Sequence, residues 1–105
     1  MNTQKFYELR FKLAQRTLEL MSKKVECFQD GYIKDLYFAT CTLLEQNKDT
    51  NPDSWLTTIL DTNIYILGDY LLSKNELLDI ENDSEIQKLM IELTEIRCDI
   101  VNEIN

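Results

Sequence analysis

The sequence predicts an all-α fold, a single-domain four-helix bundle, on three observations. Only two glycines and one proline punctuate 105 residues, too few for the many tight turns of a β-sandwich. The first segment repeats its apolar residues at spacings of three and four over its whole length. Polar turn formers then separate three further apolar-periodic segments. Residues 1–105 are long enough for one domain with a single core.

The first helix is expected over residues 3–29. Tyr7, Phe11, Ala14, Leu18, Met21, Val25 and Phe28 fall on one stripe. Phe6, Leu9, Leu13, Leu20 and Cys27 form a second stripe beside it. Together they cover roughly 200° of arc at 100° per residue, wider than a surface helix needs. This helix is therefore expected to be central, with at least two neighbours. Lys5, Lys12, Arg16 and Lys23 line one polar edge, and Glu8–Lys12 and Glu19–Lys23 have the spacing of intrahelical ion pairs. Arg10 and Lys24 point toward the apolar side, where their stems can cover neighbours.

Asp30-Gly31 is expected to end this helix through a left-handed glycine. A second helix, 32–46, turns Ile33, Leu36, Tyr37, Ala39, Thr40, Leu43 and Leu44 to one side and leaves Phe38 on the other. The polar run 47–53 forms a loop, with Asn51 or Asp53 as cap and Pro52 suited to a first helical turn. A third helix, 54–72, places Trp55, Leu56, Ile59, Leu60, Ile64, Ile66, Leu67, Tyr70 and Leu71 on its core face. Asn63 sits within that face, where a buried amide needs partners. Gly68 lies on the polar side, where it permits close approach of another backbone.

Ser73-Lys74-Asn75-Glu76 has capping-box form. It opens a short fifth helical segment carrying Leu77, Leu78 and Ile80, unless the third helix runs on through it. Ser84 and Gln87, also in capping-box spacing, open the last helix. That helix, 84–103, turns Ile86, Leu89, Met90, Leu93, Ile96, Ile100, Val101 and Ile104 inward, with Arg97 inside the apolar arc. Its other side carries Glu85, Glu92, Glu95, Asp99 and Glu103, relieved by Lys88. Pairing 3–29 with 32–46, and 54–72 with 84–103, gives two antiparallel hairpins over one core.

The net charge is −8 and uneven. Residues 1–48 hold eight basic and six acidic side chains, whereas residues 49–105 hold three basic and thirteen acidic ones. An acidic balance disfavours direct nucleic-acid binding, which rests on neutralising phosphates. It also disfavours anionic membrane surfaces, because the basic stripe is diluted by glutamates. No apolar run is long enough to span a bilayer and no signal-peptide core is present, so the expected location is cytoplasmic.

Catalytic readings find little support. There is no histidine, the commonest general base and metal ligand. No phosphate-cradling glycine loop or nucleophile elbow is present. Cys27, Cys41 and Cys98 are odd in number and widely spaced, which suits reduced thiols rather than a disulfide framework or a zinc site. No metal, cofactor or enzymatic activity is expected.

Two readings of different class remain. In the first, the chain is a non-enzymatic binding module whose acidic helical face, Glu85, Glu92, Glu95, Asp99 and Glu103, meets a basic protein partner. Phe38 is a candidate apolar contact. Such a partner is a nucleic-acid enzyme or a toxin, and the chain acts as an inhibitor, an immunity protein or an antitoxin-like factor. In the second, it is a structural or regulatory homodimer joined through apolar helix faces. Against both stands solubility, which high net charge also serves.

Overall fold

A helix apolar over more than half its circumference has to be covered from more than one side. The computed structural model describes residues 3–104, without the side chain of Ile104, whose expected inward turn lies outside the described residues. Four α-helices run α1 (Thr3–Met21), α2 (Gly31–Gln46), α3 (Ser54–Ser73) and α4 (Ser84–Ile104), with no strand among the described residues. The fold is an all-α four-helix bundle, and α1 is its spine. The first stripe of α1 (Phe11, Ala14, Leu18 and Met21) is buried with Ile33, Tyr37 and Leu44 of α2 and with Leu56, Leu60, Leu67 and Leu71 of α3. The second stripe serves α4. Leu9 packs with Leu89 and Leu93, flanked by Phe6, Leu13 and Ile96.

The helices are the expected ones, but their closest neighbours differ from the expected hairpins. Packing among the described residues is tightest between α1 and α4, α1 and α3, and α2 and α3. The last helix returns along the first instead of doubling back on α3. The width of the α1 apolar arc explains this, since a hairpin with α2 alone would leave the Leu9 stripe uncovered. The molecule is accordingly elongated, 46 × 28 × 21 Å.

Several helix ends depart from expectation. α1 stops at Met21, and Ser22–Cys27 form a 3-10 segment in which Lys24 leaves helical geometry (φ −118°, ψ 18°). The bend brings fully buried Phe28 beside the rings of Tyr37 and Tyr70, at 5.1 and 6.3 Å between centroids. Burying such a side chain stabilises the fold by about 1.5–3 kcal/mol, which a straight continuation to residue 29 would forgo. Gly31 has no left-handed role. It is the first residue of α2, and the Asp30 carboxylate caps that helix by accepting from the amides of Tyr32 and Ile33 at 2.9 and 3.3 Å. Asp53 caps α3 by accepting from the Leu56 amide at 2.8 Å, and Pro52 lies just ahead of this cap. On α3, Trp55 is 70% exposed rather than part of the core, and Asn63 is half-buried.

The 73–76 motif closes a helix instead of opening one. Asn75 takes the left-handed conformation at φ 59°. The Asn75 and Glu76 amides donate back to the Leu72 and Leu71 carbonyls at 3.0 and 2.9 Å, the Schellman pattern of a helix C-terminus. The fifth helical segment does not form, and residues 77–81 continue as irregular chain.

α4 begins at Ser84, but its cap is Asp83. One oxygen of the Asp83 carboxylate accepts from the Ile86 amide at 3.0 Å, which caps the helix. The same carboxylate accepts from Arg16 of α1, through Nη2 at 2.6 Å and Nε at 3.1–3.2 Å. Arg16 also reaches Glu19 at 2.9 Å and Glu85 at 3.4 Å. The expected intrahelical pairs Glu8–Lys12 and Glu19–Lys23 are not among the ion pairs of the described residues. Hydrogen bonding to Arg16, then to the Ile86 amide, holds the Asp83 carboxyl below the usual carboxylate value of 3.8.

Two outcomes follow from the way α4 is attached. Leu93→Ala should cost about 2–5 kcal/mol in urea denaturation, with amide exchange rising most in α4. Asp83→Asn keeps a capping side chain but loses the charge, so it should lower stability at neutral pH. A carboxyl with a depressed folded pKa adds stability above its unfolded value and loses it as pH falls through the folded one. The gap between wild type and Asp83→Asn should therefore begin to narrow as pH falls through about 4 and close only below the depressed folded value.

Candidate functional site

Periodicity divides α4 into three faces. Ile86, Leu89 and Leu93 are buried toward α1, with Ile96 and Ile100 half-buried. The acidic residues lie along one flank of this face. Glu95, Asp99 and Glu103 are exposed there, and they form no ion pair among the described residues. Glu92 is half-buried, and Glu85 is drawn to Arg16. The expected face is thus contiguous along the last three turns and partly neutralised at its start.

On the other flank, Met90 and Val101 are exposed rather than turned inward, and Ile91 is exposed on the side away from α1. Arg97 is exposed as well, its guanidinium 5.7 Å from the centre of the Phe6 ring, which Arg10 also approaches at 5.5 Å. This contact keeps the Arg97 charge in water while its plane covers an aromatic face. Phe38 is about half exposed on α2, its ring edge-on to Tyr37 at 5.3 Å. It is on a different helix from the α4 carboxylates, and the described contacts do not join the two.

A second surface, absent from the sequence expectation, opens between α3 and the irregular chain that follows it. A groove of about 350 Å³ is bounded by Ile64, Tyr65, Gly68, Asp69 and Leu72 of α3, by Leu78 and Ile80, and by Thr17 and Met21 of α1. Tyr65 is 75% exposed and Leu72 57%. Gly68 makes no close backbone approach, since a Cβ there would meet nothing within 4 Å. Its missing side chain leaves the groove open. The signal in the sequence was Leu77, Leu78 and Ile80 beyond the end of α3, together with Tyr65 and Leu72 seven residues apart around a glycine.

The cysteines differ by environment. Burial pushes the Cys41 thiol up, and burial followed by nearby Glu76 and Glu26 raises that of Cys27. Cys98 is exposed on α4. Among the described residues no three cysteine or acidic side chains are gathered as a metal site. No helix among them is long and apolar enough to cross a membrane.

Fold and surface together define a small acidic helical bundle with one carboxylate-bearing flank and one apolar groove. No family model, curated protein or solved structure matches the chain.

With an aromatic disulfide reagent at neutral pH, one thiol per chain should react quickly and two slowly, because the thiolate is the attacking species. Cys98→Ser should remove the fast phase and leave the slow one. A fast phase that survives this substitution would contradict the environments assigned to Cys27 and Cys41.

Proposed function

We propose that the chain is a non-enzymatic binding module that presents the α4 carboxylates to a basic protein partner. The observation that carries this reading is the exposure of Glu95, Asp99 and Glu103 on a helix whose adjoining face is anchored to α1. Carboxylates held on a rigid helix meet a cationic surface without the ordering that a flexible acidic tail would require. Complementary fields speed encounter and select among partners. A protein whose channel normally receives phosphates fits this chemistry, as does a basic toxin held by an inhibitor, immunity or antitoxin-like factor. The half-buried thiols of Cys27 and Cys41 and the absence of histidine favour binding over catalysis. The proposed setting is the cytoplasm, where such thiols stay reduced.

One observation favours a second reading. Met90, Ile91 and Val101 stand exposed on the surface of α4 that α1 does not cover, and a second copy would bury them in a symmetric dimer.

The quadruple variant Glu92→Lys, Glu95→Lys, Asp99→Lys and Glu103→Lys should retain its helical circular dichroism and lose the basic protein captured by wild type from lysate. Capture by wild type should weaken as salt rises, because screening shortens the reach of exposed charge. Undiminished capture by the folded variant rejects the α4 assignment. Light scattering reading a dimer that Ile91→Lys dissociates would favour the second reading.

A further inference from the structure

The groove beside α3 combines apolar walls with charge of one sign. Ile64, Gly68, Leu72, Leu78 and Ile80 form its lining, with Asp69 at its edge. Asp79 and Glu81 flank Ile80 on the adjoining chain, and both are exposed. Three of the surrounding cations are engaged elsewhere, while Lys23 is exposed and acts on Asp83. Lys24 is paired with Glu76 at 2.9 Å, Arg10 is paired with Asp61, and Lys74 sits over the Tyr70 ring at 5.5 Å. The groove therefore has Asp69 on its edge and Asp79 and Glu81 on the chain beside it, around an apolar floor.

We infer that this groove docks one amphipathic basic helix of a partner protein, its apolar ridge on Gly68, Leu72, Leu78 and Ile80 and its cationic heads over Asp69, Asp79 and Glu81. An apolar ridge at helical spacing is the shape a groove of this kind accepts. Lysine or arginine beside that ridge is what an acidic rim selects, and an acidic helix is repelled. The inference rests on the reading that the partner is basic, and it moves the apolar part of recognition from Phe38 to the α3 groove.

Gly68 supplies a test that spares the fold. A Cβ at this position meets nothing within 4 Å, so Gly68→Leu puts apolar bulk into the groove, and leucine is a better helix former than glycine. The probe is a labelled model peptide of leucine and lysine at helical spacing, titrated by fluorescence anisotropy. A glutamate-for-lysine analogue and a lysine–serine peptide lacking the ridge serve as comparisons. Wild type should bind the leucine–lysine peptide one to one and both comparison peptides at least about tenfold more weakly. Gly68→Leu should lose about tenfold in affinity, with circular dichroism unchanged. Asp69→Asn, Asp79→Asn and Glu81→Gln together should weaken binding and flatten its salt dependence. Neutralising Glu95, Asp99 and Glu103 to amides separates the two surfaces, and Gly68→Leu should weaken peptide binding more than these amides do.

Equal binding by folded Gly68→Leu overturns the groove assignment. If the α4 amides abolish binding instead, the basic-partner reading survives and the groove falls. If no lysine peptide binds wild type, both fall. A wild-type dimer that Gly68→Leu dissociates makes a second copy the occupant and overturns the proposal.

Discussion

The Asp83 carboxylate holds the architecture together at its least supported point. α4 packs most tightly on α1 alone among its helical neighbours, so its position depends on one apolar seam and on where the helix begins. Asp83 sets that beginning twice over. It caps the Ile86 amide and it is gripped by Arg16 from the neighbouring helix. A buried ion pair by itself is weak evidence for stability, since desolvation offsets the attraction. Here the carboxylate also satisfies a helix amide that would otherwise lack a partner, and charged hydrogen bonds of this kind are the stronger class. The pair fixes register as well as energy. With Arg16 on Asp83, Leu9 meets Leu89 and Leu93, and the acidic flank of α4 comes to lie where it does.

The same geometry changes the meaning of the charge asymmetry along the chain. A basic first half and an acidic second half suggest an external cationic partner. Yet Arg10 pairs with Asp61, Arg16 with Asp83 and Glu85, and Lys24 with Glu76. Each of these pairs joins the basic half to the acidic half. Much of the asymmetry thus acts within the molecule, holding α3, the chain after it and α4 to the first helical segment. The excess of thirteen acidic over three basic residues in the second half is larger than these pairs absorb. The remainder collects at the end of α4 and around the α3 groove.

The legible part of this fold was its periodicity. Helix number, approximate bounds and the central place of α1 followed from apolar spacing, because burial of a 3.6-residue pattern leaves few alternatives. Helix adjacency was not legible, since two apolar stripes on α1 do not say which later helix fills which. Trp55 illustrates a second limit. It shares an arc with Ile59, but it stands well around α3 from the buried Leu60, Leu67 and Leu71, on the side that faces water. Thr17 and Thr57 show the converse. Both read as polar, yet both are buried, because each hydroxyl donates to a carbonyl four residues earlier, Leu13 at 2.8 Å and Asp53 at 2.9 Å. Of the candidate site, the exposed carboxylates of α4 were foreseen and the groove was not.

The groove went unseen because one tetrapeptide supports opposite outcomes. Ser-Lys-Asn-Glu fits an N-terminal capping box, but asparagine is also among the few residues that tolerate the left-handed conformation ending a helix. Position decides between the two. After twenty residues of α3 the unsatisfied groups at this point are carbonyls, and the Asn75 and Glu76 amides satisfy two of them. The Lys24–Glu76 pair then ties the stopped chain to the bend after α1. A fifth helix here would have gathered Leu77, Leu78 and Ile80 onto one side and sealed them against α3. As irregular chain, the segment leaves Leu77 in solvent and turns Leu78 and Ile80 toward Gly68. The open apolar wall is thus a direct consequence of how α3 ends.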